Sequence, residues 1–118
     1  MNEHEAKFLK KMLRTRKAEA LEWLRAETPK SMRVLGELEH EPAVALVERF
    51  YDAGAVKVLA IDIKDWSGGE SSNVLIVELP SEAKSRKRLF KLQAEIVEPQ
   101  GFEGDVDDGG QYLFVGVK

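Results

Sequence analysis

Cysteine is absent from the 118 residues, which removes disulfides, thiolate metal sites and cysteine nucleophiles from the chemistry open to this chain. The absence fits a reducing compartment. Histidine is scarce: His4 and His40 are the only sources of an imidazole base. There is no run of about 18 apolar residues to span a bilayer. The opening Met1-Asn2-Glu3-His4-Glu5 is polar and partly acidic, unlike a secretion signal. These features place the expected location in the cytoplasm.

At 13.3 kDa and 43% hydrophobic content, the chain has the size and composition for one core of ordinary dimensions and no room for a second domain. Charged residues make up 33% of it, yet the apolar residues arrive in periodic blocks between turn signals, as a folded chain requires. No internal repeat or low-complexity tract interrupts them.

Asn2, with Glu5 three residues on, can cap a helix whose apolar positions are Leu9, Met12, Leu13, Ala20, Leu21 and Leu24, and Thr28-Pro29 stops it. Residues 1–30 therefore read as an N-terminal amphipathic, basic helix in front of an α+β unit over 31–118. Met32 to Leu38 alternates loosely, as a strand does, although Gly36 weakens it. Pro42 suits the first turn of a second helix carrying Ala43, Leu46, Val47 and Phe50, with Gly54 placed to end it. Ala55–Ile63 and Val74–Leu79 are rich in β-branched residues and predict an antiparallel pair, joined by a long mobile loop over Lys64–Asn73. Ser81 can cap a third helix that runs to Pro99, and Gln111–Val117 predicts a last strand.

Strand-helix-strand taken twice resembles the ferredoxin-like plait: α+β, βαββαβ, one antiparallel sheet, here with an extra N-terminal helix. That architecture hosts many unrelated activities and selects none of them. Alternation divides its strands into two sets. One holds Leu59, Ile61, Ile63, Leu75, Val77, Leu79, Leu113, Val115 and Val117; the other holds Val56, Val58, Ala60, Val74, Ile76, Tyr112 and Phe114. Both are mainly apolar, so the face opposite the two plait helices needs a cover, either the N-terminal helix or a second copy of the chain. Homodimerisation is the expectation drawn from this.

Candidate chemistry is sparse. His40, in Glu39-His40-Glu41-Pro42, reads more simply as a helix-start residue than as a catalyst or metal ligand. Asp105-Val106-Asp107-Asp108-Gly109-Gly110 offers carboxylates to a hard cation, but Gly116 stands where an EF-hand needs its closing glutamate, so a solvated turn is the plainer reading. No metal and no cofactor is assigned. Ser67, Gly68 and Gly69, with Ser71 and Ser72, lack the Gly-Lys-Ser/Thr of a phosphate loop, which leaves a flexible hairpin. Trp66 beside them can anchor a ligand or partner, or else cover the local core.

Lys7, Lys10, Lys11, Arg14, Arg16 and Lys17 form one acid-free cluster, and Lys84, Arg86, Lys87, Arg88 and Lys91 a second. Against a net charge of -3 and a pI near 5.5 they read as solvated helix faces before a nucleic-acid surface. The acidic stretch Glu95 to Asp108 could meet a basic helix of another subunit. The central strands carry Val34, Leu35, Leu75, Ile76 and Val77 where an RNA-recognition domain needs stacking aromatics. A paired-cysteine carrier loop and an acylphosphatase-type arginine loop are missing from the sequence too.

The leading expectation is thus a non-catalytic binding or assembly module, a homodimer that takes a small ligand or protein partner. Its candidate contacts are Trp66, Ser67, Gly68 and Gly69 in one loop and Asp107, Asp108 and Gln111 in the other. The alternative is nucleic-acid association through Lys7, Lys10, Lys11, Arg14, Lys84, Arg88 and Lys91. A metal-dependent enzyme using Asp107, Asp108 and Tyr112 comes third.

Overall fold

A computed structural model describes residues 3–117; the expected Asn2 cap, its Glu5 partner side chain and the His4 side chain lie outside what it describes. Along the chain come α1 (Glu3–Leu13), β1 (Ala18–Glu19), α2 (Ala20–Arg25), β2 (Met32–Leu35), α3 (His40–Asp52), β3 (Lys57–Ile61), β4 (Lys64–Trp66), β5 (Gly69–Ser72), β6 (Val74–Glu78), α4 (Ala83–Val97), a 3-10 turn (Glu98–Gln100) and β7 (Tyr112–Gly116). They form two sheets. One is antiparallel, in the order β1-β3-β6-β7; the other runs β2-β5-β4, with β2 parallel to β5 and β4 antiparallel to it.

The protein is α+β, but the single-sheet plait is not formed. In a plait the strand at residue 32 would lie between the strands here named β6 and β7. Those two pair directly, Leu75 opposite Val115 and Val77 opposite Leu113, and leave no slot. Instead β2 pairs further along the same hairpin, with Gly69–Ser72. The hairpin bends between its halves, at Asp62 (φ 49°) on one arm and Asn73 on the other. The buried Ser72 hydroxyl sits at this bend, 2.6 Å from the Ile61 carbonyl and 3.1 Å from that of Val74.

The expected long loop over 64–73 is another correction. Lys64–Trp66 and Gly69–Ser72 continue the hairpin past the bend, with Trp66 opposite Gly69, so only Ser67 and Gly68 form the turn. The single N-terminal helix is likewise two helices separated by a crossing. A continuous apolar stripe from Leu13 to Ala20 would need apolar residues near 16 and 17, where Arg16 and Lys17 stand. The chain leaves α1 with the Thr15 hydroxyl donating to the Met12 carbonyl (2.6 Å) and accepting from the Asp62 amide (2.9 Å). It then pairs Ala18 with Ala60 at the sheet edge. Glu19 caps α2, accepting from the amides of Leu21 and Glu22, and also takes the Tyr51 hydroxyl at 2.6 Å.

Crossing the edge puts α1 and α2 on opposite sheet faces. Trp23 and Leu24 of α2, Val47 and Phe50 of α3 and Leu89 and Leu92 of α4 share the main core with Val58, Ala60, Leu75, Val77, Leu113 and Val115. Leu9, Met12 and Leu13 of α1 pack on Leu59, Ile61, Val74, Ile76, Tyr112 and Phe114, with the Phe8 and Phe114 rings 5.0 Å apart. The cover over the second apolar face is therefore the chain's own helix. The expected face sets hold for β6 and β7 but are reversed for residues 58–61, because Val58 lies opposite Val77 and Ala60 opposite Leu75. Residues directly opposite share a face. Gly54 ends α3 with φ 109°, as its position predicts. At α4 the N-cap is Glu82 rather than Ser81.

Candidate functional site

The small sheet presents two unlike faces, and its register shows how. Asp65, Glu70 and Arg33 form one cross-strand row, turned toward α2. There Glu70, its side chain 15% exposed, accepts the Trp23 indole N–H at 3.0 Å, pairs with Arg16, and lies 3.2 Å from Arg33 Nε. Arg16 also donates to Asp65 at 2.8 Å. The Trp23 hydrogen bond, with Arg16 and Arg33, holds the Glu70 carboxyl below the usual carboxylate range. Arg33 Nε lies off the hydrogen-bond direction to Glu70, so the contact is an ion pair only.

On the other face Trp66, Gly69 and Met32 form one row, and Lys64, Ser71 and Val34 the next. Trp66 is 43% exposed and Met32 45%. Between them Gly69 bares its backbone, and the Trp66 ring folds over Gly68 so closely that a Cβ there would lie 2.2 Å from it. The result is a face with two half-exposed apolar side chains, Trp66 and Met32, beside a row that carries Lys64, Ser71 and Val34.

Met32 and Val34 also border a groove of about 490 Å³ between β2 and the start of α3, whose far wall carries Leu38, Glu39, His40, Glu41 and Pro42. His40 Nδ1 stands 2.5 Å from Glu27 Oε2, again off the line of a hydrogen bond. His40 thus sits at the helix start as its neighbours suggest, but beside a partner from the end of α2 that spacing did not show. Arg33, Glu27 and Met32 were not among the expected site residues. The signal for Met32 was present as an exposed position in a short alternating strand; that for Glu27 was not, because its contact depends on the turn over residues 28–31.

The expected second loop lies elsewhere. The Gln111 carbonyl accepts from the Leu79 amide at 2.8 Å, ten residues along the β5–β6 arm from Gly69. The bend at Asn73 lies between the two places. Trp66, Ser67, Gly68 and Gly69 come together; Asp107, Asp108 and Gln111 do not join them. Asp107 is engaged: Arg86 donates from Nε to Oδ2 (2.9 Å) and from Nη2 to Oδ1 (2.6 Å), and reaches the Pro80 and Gly110 carbonyls. Asp107 and Asp108 also accept the amides of Gly109 and Gly110. Among the described residues no three His, Asp or Glu side chains gather as metal ligands. Of the acidic stretch expected to meet another subunit, Asp107 and Glu95 pair within the chain, Glu95 with Arg49 at 3.1 Å.

Arg86 holds the Asp107 carboxyl down to about 2, from an ordinary 3.8. A depressed folded value means the contact stabilises fully above pH about 4 and is lost as pH falls toward 2. The Asp107 side chain is 37% exposed, which limits the contribution to about 0.5–1 kcal/mol. Asp107→Asn is expected to lower stability by that amount at pH 6, with the gap to the native chain closing by pH 2. Urea unfolding of both proteins across that range checks it; a constant gap would mean the charge is irrelevant.

The basic clusters are set apart. Lys7, Lys10, Lys11 and Arg14 belong to α1 or its end; Lys84, Arg88 and Lys91 belong to α4, on the opposite side of the four-stranded sheet. All seven are exposed, and Arg88 and Lys91 line a depression of about 360 Å³ against Arg49, Asp52 and Glu95 of α3 and α4. No protein-family model matches the chain, and neither a curated protein nor a solved structure does. No helix among the described residues is long and apolar enough to cross a membrane.

Proposed function

We propose that this chain is a non-catalytic binding module whose contact surface is the outer face of the small sheet, and whose partner is a protein segment. The observation that carries the reading is the row Trp66-Gly69-Met32, two large apolar side chains held half-exposed on either side of bare backbone. A tryptophan and a methionine set on strands give a partner wide contact area with few side-chain bonds to freeze. The charged row beneath, centred on Glu70, stiffens the platform without entering the contact. A nucleic-acid reading has less support, since its two basic clusters face away from each other and form no continuous strip.

Selection from a displayed library of random twelve-residue peptides tests this. The native chain is expected to enrich binders that lose at least tenfold in affinity against Trp66→Ala and against Met32→Ala. Enriched peptides indifferent to both substitutions, or no enrichment at all, would reject the surface.

A further inference from the structure

Resting on that reading, we infer that the partner segment is extended and carries lysine or arginine, and that it adds to β2 as a fourth strand along the groove beside α3. β2 is an edge strand. In its parallel ladder alternate residues face the partner. The Met32 amide donates to Gly68 and the Gly36 amide to Ser72, both at 2.9 Å, so Met32, Val34 and Gly36 turn their backbone groups toward β5. Arg33 and Leu35 then turn theirs outward. The Leu35 carbonyl is taken by the Leu38 amide at 3.0 Å. Leu35 is already bridged antiparallel to Leu38, so the Arg33 amide and carbonyl, which have no bond among the described residues, are the donor and acceptor pair open to an added strand.

Short edge strands bearing charge also serve to repel other strands, so the position of Arg33 decides between the two roles. Its guanidinium does not stand out from the edge. It folds back on Ser31 and Glu70, with Nη1 donating to the Ser31 carbonyl at 3.5 Å. At Arg33 the edge is left unguarded.

Charge then selects the occupant. Around the groove Arg33 pairs with Glu70 and Glu27 lies beside His40, whereas Glu39 and Glu41 are exposed and meet no Lys or Arg among the described residues. Both lie at the start of α3, where Glu39 makes no side-chain capping bond. What remains is an acidic wall facing the apolar side chains of Met32 and Val34. Side chains of an added strand point alternately to the two faces, so a sequence alternating apolar and basic residues matches both walls.

Four synthetic eight-residue peptides test the inference on the full chain by calorimetry and amide NMR: alternating Val-Lys, alternating Val-Glu, and Val-Lys N-methylated at odd or at even amides. The Val-Lys peptide is expected to bind and to shift the Arg33 amide. One N-methylated version should lose at least tenfold and the other should not, since an added strand uses one edge. Val-Glu should bind at least tenfold more weakly, and Glu39→Gln combined with Glu41→Gln should erase most of that preference. Equal binding of Val-Glu, equal loss with both methylation patterns, or no binding of Val-Lys at millimolar concentration would overturn the inference. In each of these cases the binding reading is judged separately, by whether selected peptides depend on Trp66 and Met32.

Discussion

Gly69→Val is expected to detach β2 from the hairpin and cost about 3–5 kcal/mol, the sum of overpacking and a strained backbone. Two features of the site combine there. A Cβ at position 69 would lie 2.1 Å from the Met32 carbonyl oxygen and 2.5 Å from its nitrogen, contacts that only a backbone shift relieves. Gly69 also has φ 146°, a conformation that side-chain-bearing residues rarely adopt. The lesion should be local. The amides of Met32 and Gly36, which donate across the β2–β5 ladder, should exchange fast, while those of β6 and β7 keep their protection. Gly116→Ala is the control, because nothing lies within 4 Å of the added atom, and it should change stability by less than about 0.5 kcal/mol. Urea unfolding with hydrogen exchange measures both. Similar losses in the two variants would mean that close approach at Gly69 is not what joins β2 to the sheet.

The same glycine explains much of what the sequence could and could not disclose. Elements driven by local pattern were legible. The stripe Ala43, Val47 and Phe50 with Gly54 behind it gave α3, and the β-branched runs gave β3 and β6. Pairing was not legible, because it depends on contacts between distant residues. Nothing near Met32 shows that it will lie beside Gly69 rather than between Val77 and Leu113, and a glycine pair beside serines reads equally as a loose loop or as a tight turn with one bare strand residue. The reversed face of residues 58–61 has the same origin. Alternation is visible in one strand, but the phase between strands comes from register. Asp62, with its positive φ, then restores Ile63 to the main core against the count.

For the candidate site the division is similar. Trp66 stood out as an aromatic in a polar segment, and it is half-exposed beside Gly68 and Gly69. Asp107 and Asp108 drew notice as a cluster of acids, yet pattern could not foresee that Arg86, counted with a basic helix face, turns to clamp Asp107. The open edge of β2 follows only from the two-sheet topology.

Removal of residues 1–13 is expected to turn the chain into an aggregate or a dimer. α1 lies over Leu59, Ile61, Val74, Ile76, Tyr112 and Phe114, and these six side chains form one continuous apolar patch on the sheet once Leu9, Met12 and Leu13 are gone. A nearly fully buried leucine such as Leu9 contributes about 2 kcal/mol by burial, and half-buried Met12, Leu13 and Phe8 contribute somewhat less each, offset in part by the entropy of ordering the helix. The larger effect is on association, since a bare sheet face of this kind seeks a second copy. Light scattering on the full and shortened chains, at low and high salt, reads it: the mass of the shortened chain should at least double relative to that of the full one and should not fall in high salt, because the contact is apolar. The basic side chains Lys7, Lys10, Lys11 and Arg14 point away from this contact and are exposed, so substituting all four with Gln should leave the mass unchanged. A shortened chain that stayed folded and of unchanged mass would show that the sheet face tolerates water, and the reason for α1 would then have to be sought in those four cations.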